Sequence, residues 1–185
     1  VKDIVNSCKN YVNEYGKPPP ISTATGGTPN GTPPNGYMSF GDKTDGKCAV
    51  DNGQLFDVLR AISRAGGSNA GHILNPRQQK YFEQPKATDK NLPRDGFLDG
   101  ADFAATPGQL MDPWGKQYCI VLDTDSDDTI DMKDFYTDLT GTDSIRVTAA
   151  AFSMARDGVR GTKANLGIFR KTSSNLPPDD VVSWQ

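Results

Sequence analysis

The sequence predicts an α+β domain, with a helix first, antiparallel strands later and long loops between them. Two patterns and one compositional fact carry that expectation. Val1, Ile4, Val5, Cys8, Tyr11, Val12 and Tyr15 recur at three- and four-residue steps, which draws one apolar stripe along a helix. Tyr118 to Leu122 is a short aromatic and β-branched run, and Ile145, Val147, Ala149 and Ala151 alternate before Phe152, which suits strands. The 19 glycines and 13 prolines among 185 residues call for extensive loops around a small core. That length suits one domain, residues 1–185, with 1–16 as helix, 21–51 as a long loop, and 112–185 as sheet with a C-terminal acidic loop.

Gly16 and the run Pro18-Pro19-Pro20 end the first helix, because glycine suits the cap and proline has no N–H to continue the ladder. Ile21 to Asp51 is dominated by Gly, Pro, Thr, Ser, Asn and Asp and reads as surface loop, with Tyr37, Met38 and Phe40 as its anchors. Leu55, Phe56, Val58, Leu59 and Ile62 restore helical spacing, with Asp51 or Asn52 as N-cap and Gly66-Gly67 as terminator. Asn75 to Asp112 has no sustained period and is expected to be irregular. The sheet is therefore expected to be C-terminal, and the first helix to lay its stripe on it.

Composition excludes several functions. Twenty-three acidic against 20 basic residues give a formal charge of −3 and no basic footprint for nucleic acid or an anionic membrane. No apolar run approaches the roughly 18 residues of a membrane span. The helical rhythm already running at Val1, without a Met, raises the expectation that an apolar segment precedes it. Cys8, Cys48 and Cys119 lack CxxC spacing or neighbouring histidines, so neither zinc nor a redox motif is supported. A Cys8–Cys48 bridge and an all-thiol chain are equally compatible with the count.

The richest chemistry follows the Tyr118 to Leu122 run. Asp123, Asp125, Asp127 and Asp134 stand at positions 1, 3, 5 and 12 of a loop with Ile130 at position 8, and the Thr129 carbonyl can supply a further ligand. Calcium is the cation such a spacing selects, since it takes six to eight hard oxygens. Position 6 is Asp128 rather than glycine, and position 12 is Asp rather than Glu; Asp tolerates positive φ, so both remain compatible with a calcium loop. The alternative is a solvated acidic hairpin tip.

Asp112-Pro113-Trp114-Gly115, followed two residues on by Tyr118 and the strand Cys119 to Leu122, resembles the Asp-Pro-Trp-Gly-x-x-Tyr signature of the major pseudopilins of type II secretion. In the same order, Tyr11 to Pro18 resembles the end of the pilin helix, and Ser153 to Gly158 its Ser-x-x-x-Asp-Gly turn. Asp179 to Trp184 resembles the closing Asp-Asp-Ile-x-x-Trp, with Val181 in place of Ile. The resemblance covers residues 1–18 and about 75–185, and leaves 21–70 without a counterpart. It implies a pilin-like fold and a structural subunit of a periplasmic pseudopilus, anchored in the bacterial inner membrane through a preceding helix half. Its partners would be other pseudopilin subunits and inner-membrane secretion components, and the chain without that helix half would be a monomer. It also implies a competing, alternative calcium site in the C-terminal loop, at Asp157, Asp179 and Asp180. Physically, the Asp112 corner caps a turn, fixes φ with Pro113, buries Trp114 and uses Gly115 for positive φ; it carries no catalysis.

Two other classes compete. A secreted calcium-binding adhesion or dockerin-like interaction module would carry two copies of the acidic loop, and the chain has one. An enzyme would need to recruit His72, the lone histidine, or pair Asp95 with Asp99, yet no GxSxG or HExxH pattern surrounds His72 and both Asp-Gly units read as turns. No enzymatic activity is expected.

Overall fold

The computed structural model describes residues 1–21, 36–43, 48–132, 135, 144–156 and 181–183. Helix α1 spans Lys2–Tyr15 and ends where glycine was expected to end it: Gly16 takes φ 73° and donates its N–H to the Val12 carbonyl at 2.7 Å. Its stripe is buried through Ile4, Val5, Cys8 and Tyr11. Strand β1, Tyr37–Phe40, lies inside the segment expected to be loop. Helix α2 spans Asn52–Leu59 and stops at Arg60, well before Gly66. The region expected to be irregular contains β2, Gly96–Phe97, and β3, Leu110–Met111, paired with each other. The remaining strands are β4 (Cys119–Asp123), β5 (Thr129–Asp131), β6 (Ser144–Arg146), β7 (Ala149–Ser153) and β8 (Val181–Val182).

Mixed helix and antiparallel sheet is thus the architecture. Among the described residues the main sheet runs β1-β4-β7-β8, antiparallel throughout, with Phe40 opposite Ile120, Ile120 opposite Ala151 and Phe152 opposite Val182. The sheet is not wholly C-terminal, because its first edge strand comes from residues 37–40. Nor is α1 packed on the sheet alone: it lies against β7 and α2. Its Ser7 hydroxyl bonds the Tyr81 carbonyl at 2.7 Å and its Tyr11 hydroxyl the Leu74 carbonyl at 2.5 Å. The pattern of β1 could not be separated from an anchored loop by composition, since four apolar or small residues between glycines decide little without a partner strand.

Both sheet faces are covered, and for that reason β4 and β7 are buried at every position rather than alternately. Met38, Phe40, Ile120, Leu122, Ala149 and Ala151 pack with α1 and α2. Tyr37, Val121, Ala150 and Phe152 point the other way, onto Ile130, Met132 and Phe135. Small Ala149 and Ala151 on the helix-facing side let the backbone of α1 approach β7. The single strand expected from Ile145 to Met154 is two: β6 pairs with β5 in a separate hairpin, and β7 pairs with β4. Ile145 and Val147 accordingly pack on one face of the sheet while Ala149 and Ala151 serve the other.

The Asp112 corner is a hydrogen-bonded turn. Asp112 Oδ1 accepts from the Trp114 and Lys116 N–H groups at 2.9 and 2.8 Å, and Gly115 takes φ 86°. Trp114, however, is not buried in the core; it remains 42% exposed, because the turn projects it outward while Asp112 is held inside. Of the two residues expected to cap α2, Asp51 takes the N-cap position without a side-chain capping bond, and the first helical residue is Asn52. It is fully buried and instead clamps β3 to the corner, donating to the Leu110 and Tyr118 carbonyls at 3.0 Å each and accepting from the Leu110 N–H at 3.0 Å. No helix among the described residues is long and apolar enough to cross a membrane.

Candidate metal centre

The acidic loop follows the end of β4 and leads into β5, so the main sheet fixes Asp123 and the pairing of β5 with β6 fixes Thr129. Asp123 closes β4 and is buried, and its carboxylate organises the turn that follows. Oδ1 accepts from the N–H groups of Asp125 and Ser126 at 3.1 and 2.8 Å, and Oδ2 from that of Asp128 at 2.9 Å. Asp127 Oδ1 accepts from the Thr129 N–H at 2.7 Å. Asp123 Oδ1 accepts two of these bonds, whereas Asp123 Oδ2 and Asp127 Oδ1 accept one each and keep a further acceptor direction, so this framework and a cation are not mutually exclusive.

The result is convergence. One carboxylate oxygen from each of Asp123, Asp125 and Asp127 lies within 4.8 Å of the others, the first buried and the other two exposed. That spacing can close around a cation with oxygen ligands at 2.3–2.6 Å. The backbone departs from ordinary φ where a calcium loop must turn sharply: Ser126 has φ 66° and Asp128, at position 6, has φ 60°. Asp128 therefore adopts the conformation that the missing glycine would have provided, as Asp can. The loop is also braced from β1's side. The Thr124 and Asp125 N–H groups donate to the Gly36 carbonyl at 2.7 and 3.3 Å, and a Cβ at Gly36 would collide with the Asp125 carboxylate.

Of the residues expected at the first site, the structure brings together Asp123, Asp125 and Asp127, and sets Thr129 beside them at the start of β5. Asp134 lies outside the described residues, as do Asp157, Asp179 and Asp180 of the second.

The residues weighed for catalysis are dispersed. Asp95 sits in a turn with φ 52°, its N–H bonded to the Asp112 carbonyl at 2.8 Å. Asp99 belongs to an ion-pair network that sequence reading missed. Arg64 binds Asp57 through Nε at 2.8 and 2.9 Å and Asp99 through Nη2 at 2.8 Å, and Arg60 binds Asp99 at 2.6 Å while stacking over the Phe97 ring at 3.6 Å. The available signal was Asp57 itself, a charge amid Leu55, Phe56, Val58 and Leu59 on a helix that buries all of them. Burial outweighs the Arg64 bonds and pushes the Asp57 carboxyl up to about 6, whereas the two arginines hold Asp99, which burial alone would raise, below the usual carboxylate range. These bonds tie the end of α2 to the turn after β2, and Arg60 Nη1 is buried there without a hydrogen-bond partner. His72 lies in a half-exposed turn with φ 58°.

Comparison of the chain with known family models, with characterised proteins and with solved structures finds no match.

Proposed function

We propose that this chain is the globular body of a structural subunit of a periplasmic pseudopilus of the type II secretion kind, with calcium ordering the Asp123 loop. The observation that carries the reading is the Asp112 corner. Asp-Pro-Trp-Gly-x-x-Tyr leads directly into the interior strand β4, and its Asp112 is bonded at 2.5 Å to Ser153, the first residue of the second resembling segment. Two separate pieces of the family pattern therefore support each other through one buried contact. In this reading the chain performs no catalysis, and its partners are further copies of pseudopilin subunits and inner-membrane components of the machinery. The calcium part rests on the convergence of Asp123, Asp125 and Asp127 and on the positive φ of Asp128.

The filament reading is tested by joining the chain to a pilin-type leader and apolar helix half in cells that contain a type II secretion system. Electron microscopy should reveal filaments labelled by an antibody against the chain. Export as a dispersed protein, with no filaments at raised expression, would sink the filament role; if that dispersed protein bound calcium, the interaction-module reading would replace it.

A further inference from the structure

The three cysteines divide between the two faces of the sheet. Cys8 is buried on α1 among the residues packed on the helix side, whereas Cys48 and Cys119 lie together in the cluster on the opposite side. The sheet therefore separates Cys8 from Cys48, and a bridge between them, one of the two states compatible with the sequence, is contradicted by the fold. Cys48 Sγ instead lies 3.1 Å from Cys119 Sγ, across 71 residues of chain. Burial keeps both there: Cys48 is 6% and Cys119 2% exposed.

We infer that Cys48 and Cys119 form an intramolecular disulfide when the chain meets an oxidising environment, stapling the strap after β1 to the first residue of β4. Three features set the two sulfurs in place. The strap is already tied to β1, because the Ala49 and Val50 N–H groups donate to the Ser39 carbonyl at 3.1 and 3.2 Å and the Gly41 N–H donates to the Val50 carbonyl at 2.8 Å. Cys119 is fixed by its ladder position opposite Phe152. Gly41 supplies the room: a Cβ there would stand 2.7 Å from Cys48 Sγ and 3.3 Å from the Cys119 Cα, so any larger residue would wedge into the space the pair occupies. The remaining change is a sub-ångström to ångström closure to the bonded S–S distance, within reach of side-chain rotation.

The chemistry is thiol–disulfide exchange. The less buried Cys48, as thiolate, attacks one sulfur of a disulfide oxidant such as glutathione disulfide or an oxidised dithiol oxidoreductase, and expels one thiol. The Cys119 thiolate then attacks Cys48 Sγ and expels the second. Two protein thiols lose two protons and two electrons, and the oxidant is reduced to two thiols. Cys8 stays outside the exchange, since burial pushes its thiol up to about 12 and keeps it protonated. Because it closes a long loop, the bond restricts the unfolded chain and raises thermal stability. The inference does not depend on the filament reading.

The test uses the whole folded chain, equilibrated with glutathione disulfide, then denatured, alkylated with iodoacetamide and mapped without reduction. One alkylated thiol, at Cys8, and one linked peptide pair containing Cys48 and Cys119 are expected, with a thermal midpoint roughly 5–15 °C above that of the reduced chain. Cys8→Ala should leave the linkage intact and Cys119→Ala should abolish it. Three alkylated thiols after equilibration, or a link involving Cys8, would overturn the assignment.

Discussion

The Ser153 hydroxyl donates to Asp112 Oδ2 at 2.5 Å inside the protein, 41 residues apart in sequence, and accepts from the Ala155 N–H at 3.0 Å. Asp112 Oδ1 meanwhile holds the Trp114 and Lys116 N–H groups. One fully buried carboxylate thus fixes both the corner before β4 and the end of β7, so adjacent strands of the sheet share a terminus. Ser153→Ala removes the donor at Oδ2 and leaves that side of a buried carboxylate without it. The expected cost is about 2 kcal/mol, seen as a lower urea midpoint at unchanged slope. An unaltered midpoint would mean that the contact is dispensable to the fold.

Calcium should stabilise the protein through its folded form alone. At 100 times Kd the gain is about 2.7 kcal/mol, or on the order of 5–10 °C in thermal midpoint for a chain of this size. The gain should vanish on chelation and in the double variant Asp125→Asn, Asp127→Asn, whose carboxylates are exposed and whose loss should leave the calcium-free midpoint nearly unchanged. A midpoint indifferent to millimolar calcium leaves the acidic loop a solvated hairpin tip.

Gly36→Ala probes the bracing of that loop by the residue before β1. Its φ of 75° is unfavourable to alanine, and the added Cβ would collide with the Asp125 carboxylate. A loss of about 1–3 kcal/mol is expected, with calcium affinity falling in parallel as Asp125 is pushed from Asp123. Titration of both variant and parent by calorimetry separates the two effects.

The pH dependence of Asp57 has a definite sign. Its carboxyl in the folded protein titrates at about 6, above the unfolded value of 3.8, so folding takes up a proton in that window. The stability owed to this group is complete below about pH 4 and falls as pH rises through 6, by up to about 3 kcal/mol. The difference in unfolding free energy between the parent and Asp57→Asn, followed from pH 4 to 7, should therefore move against the parent. Movement in the parent's favour would mean that the Arg64 bonds outweigh burial.

Ala151 lies fully buried on the face of β7 that meets α1. Ala151→Leu should overfill this contact and cost about 1–3 kcal/mol, measured by denaturant unfolding. Tolerance of leucine would imply that α1 stands farther from the sheet than the packing indicates.

Local patterns were enough for whatever depends on a residue and its near neighbours. The α1 stripe and its Gly16 stop, the run at β4, the turn held by Asp112 and Gly115, and the alternate aspartates after Asp123 each write their geometry into a few consecutive positions. Helix period, proline and glycine stereochemistry, and alternate-residue convergence all act over fewer than about a dozen residues. What lay beyond the sequence depends on partners far along the chain. Residues 37–40 become a strand only because β4 offers an edge, and the 145–154 run splits only because β5 and β4 compete for its two halves. Trp114 faces outward because Asp112 takes the interior, Asp57 is buried because Arg64 reaches it, and Cys48 meets Cys119 rather than Cys8 because a sheet lies between. Pairing and burial of that kind are settled by competition among distant segments for the same surface, and only the assembled chain decides which segment wins.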